Sequence, residues 1–124
     1  LATGWKNEPE IFELLKQLVK SDDESGMRLE AVEKLATGWK NEPEIFELLK
    51  QLVESDDDPG VRRKAVEKLA IGWKDKPETF ELLQQIVVSD DDSGVRCEAL
   101  QQIVTDWKDK PETFELLKQL AVYD

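Results

Sequence analysis

The side chains here with chemistry to offer are three runs of carboxylates, three arginines, four tryptophans and one cysteine. The acidic runs Asp22-Asp23-Glu24, Asp56-Asp57-Asp58 and Asp90-Asp91-Asp92 bring calcium to mind, since calcium takes oxygen ligands. A calcium loop, however, alternates its ligands and ends on a bidentate glutamate, whereas these carboxylates are consecutive and a helical pattern follows at once. Capping of that helix, with anions favoured at its positive end, accounts for them without a metal. Histidine is absent, which removes the commonest general base and the commonest metal ligand together. No catalytic set, metal site or cofactor is expected.

Arg28, Arg62 and Arg96 share the helical angle of the apolar residues around them, so their guanidinium groups should turn inward and need partners. The nearest carboxylates are Asp22 or Asp23, Asp56 or Asp57, and Asp90 or Asp91. The expectation is a structural Arg–Asp ladder between repeats, bidentate where geometry permits. Trp5, Trp39, Trp73 and Trp107 recur every 34 residues, each followed by lysine. A large aromatic at fixed helical phase reads as packing, here over the gap between successive units, rather than as a stacking site for a ligand.

These residues are positioned by a repeat. Residues 1–34 and 35–68 agree at 28 of 34 positions, a likeness that fits either recent duplication or consensus design. Each period holds two helical patterns. In helix A, Phe80, Leu82, Leu83, Ile86 and Val87 form one broad apolar stripe with Glu78, Glu81, Gln84 and Gln85 opposite. Asp75-Lys76-Pro77-Glu78 reads as a capping box with proline in the first turn, repeated by Asn7 with Glu10, Asn41 with Glu44 and Asp109 with Glu112. In helix B, Val61, Ala65, Val66, Leu69 and Trp73 share a side, and Asp58-Pro59 reads as N-cap and first helical residue. The spacing predicts A helices starting near 9, 43, 77 and 111 and B helices near 25, 59 and 93. Leu1–Trp5 reads as the last turn of an earlier helix B. The expected architecture is one all-α array over 1–124, a right-handed α-solenoid of seven helices and about three and a half repeats, cut from a longer array and open at both ends.

Charged residues make up 36% and hydrophobic ones 40%, a mixture suited to amphipathic helices rather than disorder. The formal charge of −11 repels phosphate backbones and anionic membranes, so neither nucleic acid nor membrane is expected as a partner. No apolar run approaches the roughly 20 residues of a membrane span, and Leu1–Trp5 lacks the charged start of a signal peptide. Cys97 cannot form an internal disulfide, which is compatible with a reducing cytoplasm, the expected location.

The run Asp57-Asp58-Pro59-Gly60-Val61-Arg62-Arg63-Lys64-Ala65-Val66-Glu67-Lys68-Leu69 resembles the second-helix signature of bacterial HEAT-like repeats, of the type also seen in phycobilisome-lyase relatives. Asp91 to Ile103 and Asp23 to Leu35 follow it, with Glu24 and Met27 as departures. Tetratricopeptide repeats share the period but place tryptophan early in the first helix, whereas here Trp73 ends helix B and Pro77 opens helix A. The resemblance implies an interaction array whose B helices line a concave groove. Its outward column reads Leu29, Glu30, Glu33, Thr37, then Arg63, Lys64, Glu67, Ile71, then Cys97, Glu98, Gln101, Thr105, with Leu29 and Ile71 as surface apolars. From this we expect a scaffold or sensor presenting a rigid, mostly acidic groove to a basic or mixed-charge protein. The alternatives are a spacer with no ligand of its own and, through the lyase resemblance, a chromophore role for Cys97. Open ends imply end-to-end self-association.

Overall fold

The computed structural model describes residues 8–21 and 23–123, and shows seven α-helices and no strand among them. The A-type helices are α1 (Glu8–Ser21), α3 (Pro43–Ser55), α5 (Pro77–Ser89) and α7 (Pro111–Tyr123); the B-type helices are α2 (Ser25–Gly38), α4 (Pro59–Gly72) and α6 (Ser93–Asp106). Leu1–Trp5, Asn7, Asp22 and Asp124 lie outside the described residues.

Helices α3, α5 and α7 start one residue later than a capping box would require. The amide of Lys76 donates to the carbonyl of Trp73 (3.1 Å), and the carbonyl of Lys76 accepts from the amide of Thr79 (3.0 Å). The same two bonds close Trp39 to Glu42 and Trp107 to Lys110. This main-chain turn makes Lys76 and Glu42 the N-caps, with no side-chain cap bond, and puts proline in the first turn. Asn41, Asp75 and Asp109 therefore stand one position too early for capping, and the box is not formed. Glu44 and Glu78 still lie in the first turn, where the helix dipole favours a carboxylate.

At the other end of each A helix the three acidic residues divide the work. Asp58 accepts the amide of Val61 and Asp92 that of Val95, both at 3.1 Å, which caps α4 and α6. Asp56 accepts the amide of Asp58, and Asp90 that of Asp92, both at 2.9 Å. In the first copy Glu24 takes the cap position and makes no side-chain cap bond, since its longer side chain does not fit the tight geometry that aspartate satisfies.

The core runs the length of the array. Leu35, Ile45, Leu49, Val61, Val66, Leu69, Leu83, Val95 and Ile103 are fully buried, each contributing about 1.5–3 kcal/mol by leaving water. Successive B helices come close along their backbones, α2 to α4 and α4 to α6, whereas successive A helices barely do. Buried alanines explain the difference: Ala31, Ala65 and Ala99 sit in the B row, while the A row carries the larger Leu48 and Leu82 among its buried residues. Closer spacing in one row than in the other is what bends such an array toward that row.

Arginine joins one period to the next. Arg28 Nε and Nη2 donate to the two carboxylate oxygens of Asp56 at 3.0 and 3.1 Å, and Nη2 also reaches Asp57 at 3.2 Å. Arg62 does the same to Asp90 and Asp91, while its Nη1 donates to the carbonyl of Asp56 at 2.8 Å. The Arg62 guanidinium thus ties the turn before its own helix to the turn that opens the next. The bond to Asp56 holds the pKa of Arg28 above its ordinary value and that to Asp90 does so for Arg62, with burial opposing both. Arg96 donates Nη1 to the carbonyl of Asp90 at 2.6 Å.

Two stability outcomes are expected in urea unfolding. Asp90→Ala leaves a buried arginine without its fork and should cost about 3 kcal/mol, whereas Asp91→Ala, at a side chain that is 92% exposed, should cost well under about 1 kcal/mol. Thr79 is fully buried and its hydroxyl has no partner, while Thr113 at the equivalent place donates to the carbonyl of Trp107 at 2.7 Å. Thr79→Val should therefore stabilise the chain by about 1 kcal/mol, and Thr113→Val should not.

Candidate functional site

The surface that varies between copies is the outer side of the B row. The structure places Glu30, Thr37, Arg63, Ile71, Cys97, Gln101 and Thr105 in the open and leaves Glu33, Lys64 and Glu67 half-buried. Two residues of the column differ from the sequence expectation. Leu29 is half-buried and packs against the core, because α4 lies close enough to cover it. Glu98 is only 9% exposed, because Arg63 from the preceding B helix folds over it.

Those two departures have one cause, the close approach of adjacent B helices, which also brings their charges into pairs. Arg63 Nε donates to Glu98 Oε1 at 3.1 Å, and Gln102 Nε2 donates to Glu98 Oε2 at 2.9 Å. One step earlier Lys68 Nζ donates to Glu33 Oε2 at 3.0 Å, and Lys64 lies 3.6 Å from both Glu33 and Glu67. Lys68 and Gln102 were missed by reading the outward column alone. Their signal was available, since both ion pairs join residues 35 apart, one period plus one step along a tilted helix. Thr37 and Thr105 spend their hydroxyls on their own helix, donating to the carbonyls of Glu33 and Gln101.

The B face is therefore of mixed charge and largely self-paired. Exposed negative charge also lies along the A–B turns, where Asp57 and Asp91 are more than nine-tenths exposed at the outer end of the Arg28 and Arg62 forks. Two clefts open there between successive A helices, one lined by Arg28, Asp56 and Asp57 and the other by Arg62, Asp90 and Asp91. Arg28, Arg62, Asp56 and Asp90 are drawn together by the ladder, and Arg96 continues the row at the far end.

The tryptophans close the opposite edge. Trp39, Trp73 and Trp107 lie against Phe12, Phe46 and Phe80 with ring centroids 5.7, 6.4 and 5.4 Å apart. Lys76 and Lys110 from the following turn lie over Phe46 and Phe80 at 4.7 and 5.3 Å. Trp5 is outside the described residues. Among the described residues no helix is long and apolar enough to cross a membrane, and no group of three His, Cys, Asp or Glu could hold a metal ion. Cys97 is exposed on α6.

The pairing on the B face should be visible in acid. The hydrogen bond from Lys68 holds the Glu33 carboxyl below its ordinary value of 4.5, with burial opposing. A carboxyl depressed by folding contributes stability above its unfolded pKa and loses it as pH falls through the folded value. The stability difference between the native chain and Glu33→Gln should be constant above about pH 5.5 and shrink as pH falls through the depressed folded value; urea midpoints at descending pH would measure it.

A family model described as HEAT repeats matches residues 11–104 and again 46–124, the two registers displaced by about one period. Comparison with curated proteins gives no match, and neither does comparison with solved structures. Arrays of this kind generally mediate protein–protein interaction or scaffolding and are typically non-catalytic. The paired helices, the inter-repeat arginine ladder and a match spanning residues 11–124 lead to one conclusion: the chain belongs to the HEAT repeat family.

Proposed function

We propose that this chain is a protein-binding scaffold that receives its partner on the outer face of the B row, beside the acidic edge of the A–B turns. The observation that carries this reading is a set of side chains on that face that are exposed and differ from copy to copy: Ile71 at 61% exposure, with Cys97 and Gln101 one helix further on. Positions turned inward hardly change, as with arginine at 28, 62 and 96 and alanine at 31, 65 and 99. Residues free to vary on a fixed frame are where recognition can be written without loss of fold. The frame is preordered, so binding loses little conformational entropy, and the exposed carboxylates of Asp57 and Asp91 speed encounter with a basic partner. A partner of basic or mixed charge suits this surface better than a purely cationic one, because Arg63, Lys64 and Lys68 share the face with Glu30, Glu33 and Glu67.

A second reading, a spacer with no ligand, has its own support in the inter-repeat pairs Arg63–Glu98 and Lys68–Glu33, which satisfy much of the face internally. A chromophore role through Cys97 has only the exposure of that thiol behind it.

One experiment separates these readings: affinity capture from the source lysate with three baits, the native chain, Ile71→Asp combined with Gln101→Lys, and the A-row control Val88→Asp, each first shown to keep native helicity. The scaffold reading expects a partner held by the native and Val88→Asp baits and weakened at least about tenfold by the double variant, as for a site with one apolar anchor. Retention by none favours the spacer, and equal retention by all three overturns the placing of the partner on the B face.

A further inference from the structure

Each A helix carries a phenylalanine followed by a glutamate, and in α1, α3 and α7 a lysine one turn on joins the two. Lys16, Lys50 and Lys118 place Nζ 4.2, 5.7 and 5.3 Å from the ring centroids of Phe12, Phe46 and Phe114. Each also lies beside the glutamate three residues before it, 2.9 Å from Glu13, 3.9 Å from Glu47 and 3.8 Å from Glu115. The seat is most complete at Lys16, whose ammonium further donates to both carboxylate oxygens of Glu44 on the next A helix, at 3.1 and 3.2 Å. The bond to Glu13 holds the pKa of Lys16 above its ordinary value; burial opposes it and the bond to Glu44 adds to it. An ammonium over an aromatic face, with carboxylate at its side, is what this fold builds at that position.

Helix α5 breaks the pattern. It keeps Phe80 and Glu81, and α7 supplies Glu112 as α3 supplies Glu44, but Gln84 stands at the place of the lysine. A cleft of about 540 Å³ opens there, lined by Pro77, Phe80, Glu81, Gln84, Trp107 and Glu112, against about 260 Å³ beside Pro9, Phe12, Glu13 and Trp39. Among the described residues neither Glu81 nor Glu112 joins an ion pair. Lys110 does lie over Phe80 at 5.3 Å, yet it leaves the seat open: over Phe46 the equivalent Lys76 stands at 4.7 Å together with Lys50 at 5.7 Å, so one ring accommodates both.

We propose that this cleft receives a lysine side chain of a partner protein, its ammonium over Phe80 between Glu81 and Glu112, as that of Lys16 lies over Phe12 between Glu13 and Glu44. The first repeat of the chain itself defines the occupant: a primary ammonium, with N–H donors for two carboxylates and charge for the ring. The rim is balanced, with Lys74, Lys76 and Lys110 set against Asp75, Glu81 and Glu112, so the attraction is short-range and the seat adds one contact to a larger interface. It lies on the A row and does not rest on the B-face reading; either can fail without the other.

The test is an NMR titration of the full isotope-labelled chain with Nα-acetyl-lysine amide at constant ionic strength, read from the tryptophan indole N–H signals and the side-chain amide of Gln84. The seat predicts saturable shifts at Trp107 and Gln84, while Trp39 and Trp73, whose phenylalanines already carry Lys16 and Lys50, stay unmoved. Acetylating Nε of the ligand should abolish the shifts. Glu81→Gln and Glu112→Gln should each weaken binding about threefold, and Gln84→Lys, which installs the residue of the other three copies, should abolish it. The acetylated ligand leaves the chain unaltered, so a variant that misfolds does not blunt the test. Shifts that fail to saturate at Trp107, that are equal at all three indoles, or that survive Nε-acetylation or Gln84→Lys would overturn the proposal.

Discussion

A guanidinium held between two turns organises this molecule. Arg62 grips the carbonyl of Asp56 behind it and the carboxylates of Asp90 and Asp91 ahead, and so fixes the distance from one A–B turn to the next. Burying that charge would be unfavourable alone. It becomes tolerable because the fork is bidentate and because Asp90 is itself held by the amide of Asp92. The aspartate that receives the arginine thereby also shapes the turn whose third member caps the next B helix. Inter-repeat bonding and local helix initiation are one structure, and its recurrence in successive periods keeps the array regular.

What remains on the surface follows from that regularity. Alanine in the B row lets those helices stack closely, which places residues 35 apart within reach and draws Arg63 over Glu98 and Lys68 to Glu33. The face is therefore stiffened by its own charges, and positions such as Ile71 and Gln101, exposed and outside those pairs, are the ones we propose for a partner. The A–B turns keep their outer carboxylates exposed because the inner ones already satisfy the arginine. Asp57 and Asp91 thus carry exposed negative charge along the edge formed by those turns.

The sequence made the two-helix period and the helix types legible, because a tryptophan every 34 residues and a 3.6-residue apolar rhythm depend on local order alone. The caps at Asp58 and Asp92 were legible for the same reason. The start of the A helices was not: the main-chain bond from Lys76 to Trp73 moves the cap by one residue, and no side-chain pattern records it. Arginine and aspartate could be paired by chemistry, but the reading could not say that Arg28 and Arg62 reach forward to the next turn. Glu98 and Leu29 looked exposed because helical phase describes one helix in isolation. Their burial is set by the tilt and approach of the neighbouring B helix, which is a property of the stack.

The central claim is that the arginine fork couples one period to the next, and a double-mutant cycle on Arg62 and Asp90 tests it most directly. Native chain, Arg62→Ala, Asp90→Ala and the double variant would be unfolded in urea under identical conditions. The account predicts a coupling energy of about 2 kcal/mol or more, with the double variant far less destabilised than the sum of the single ones. Additive losses, with a coupling near zero, would show that the repeats are held by their apolar faces alone and would contradict it.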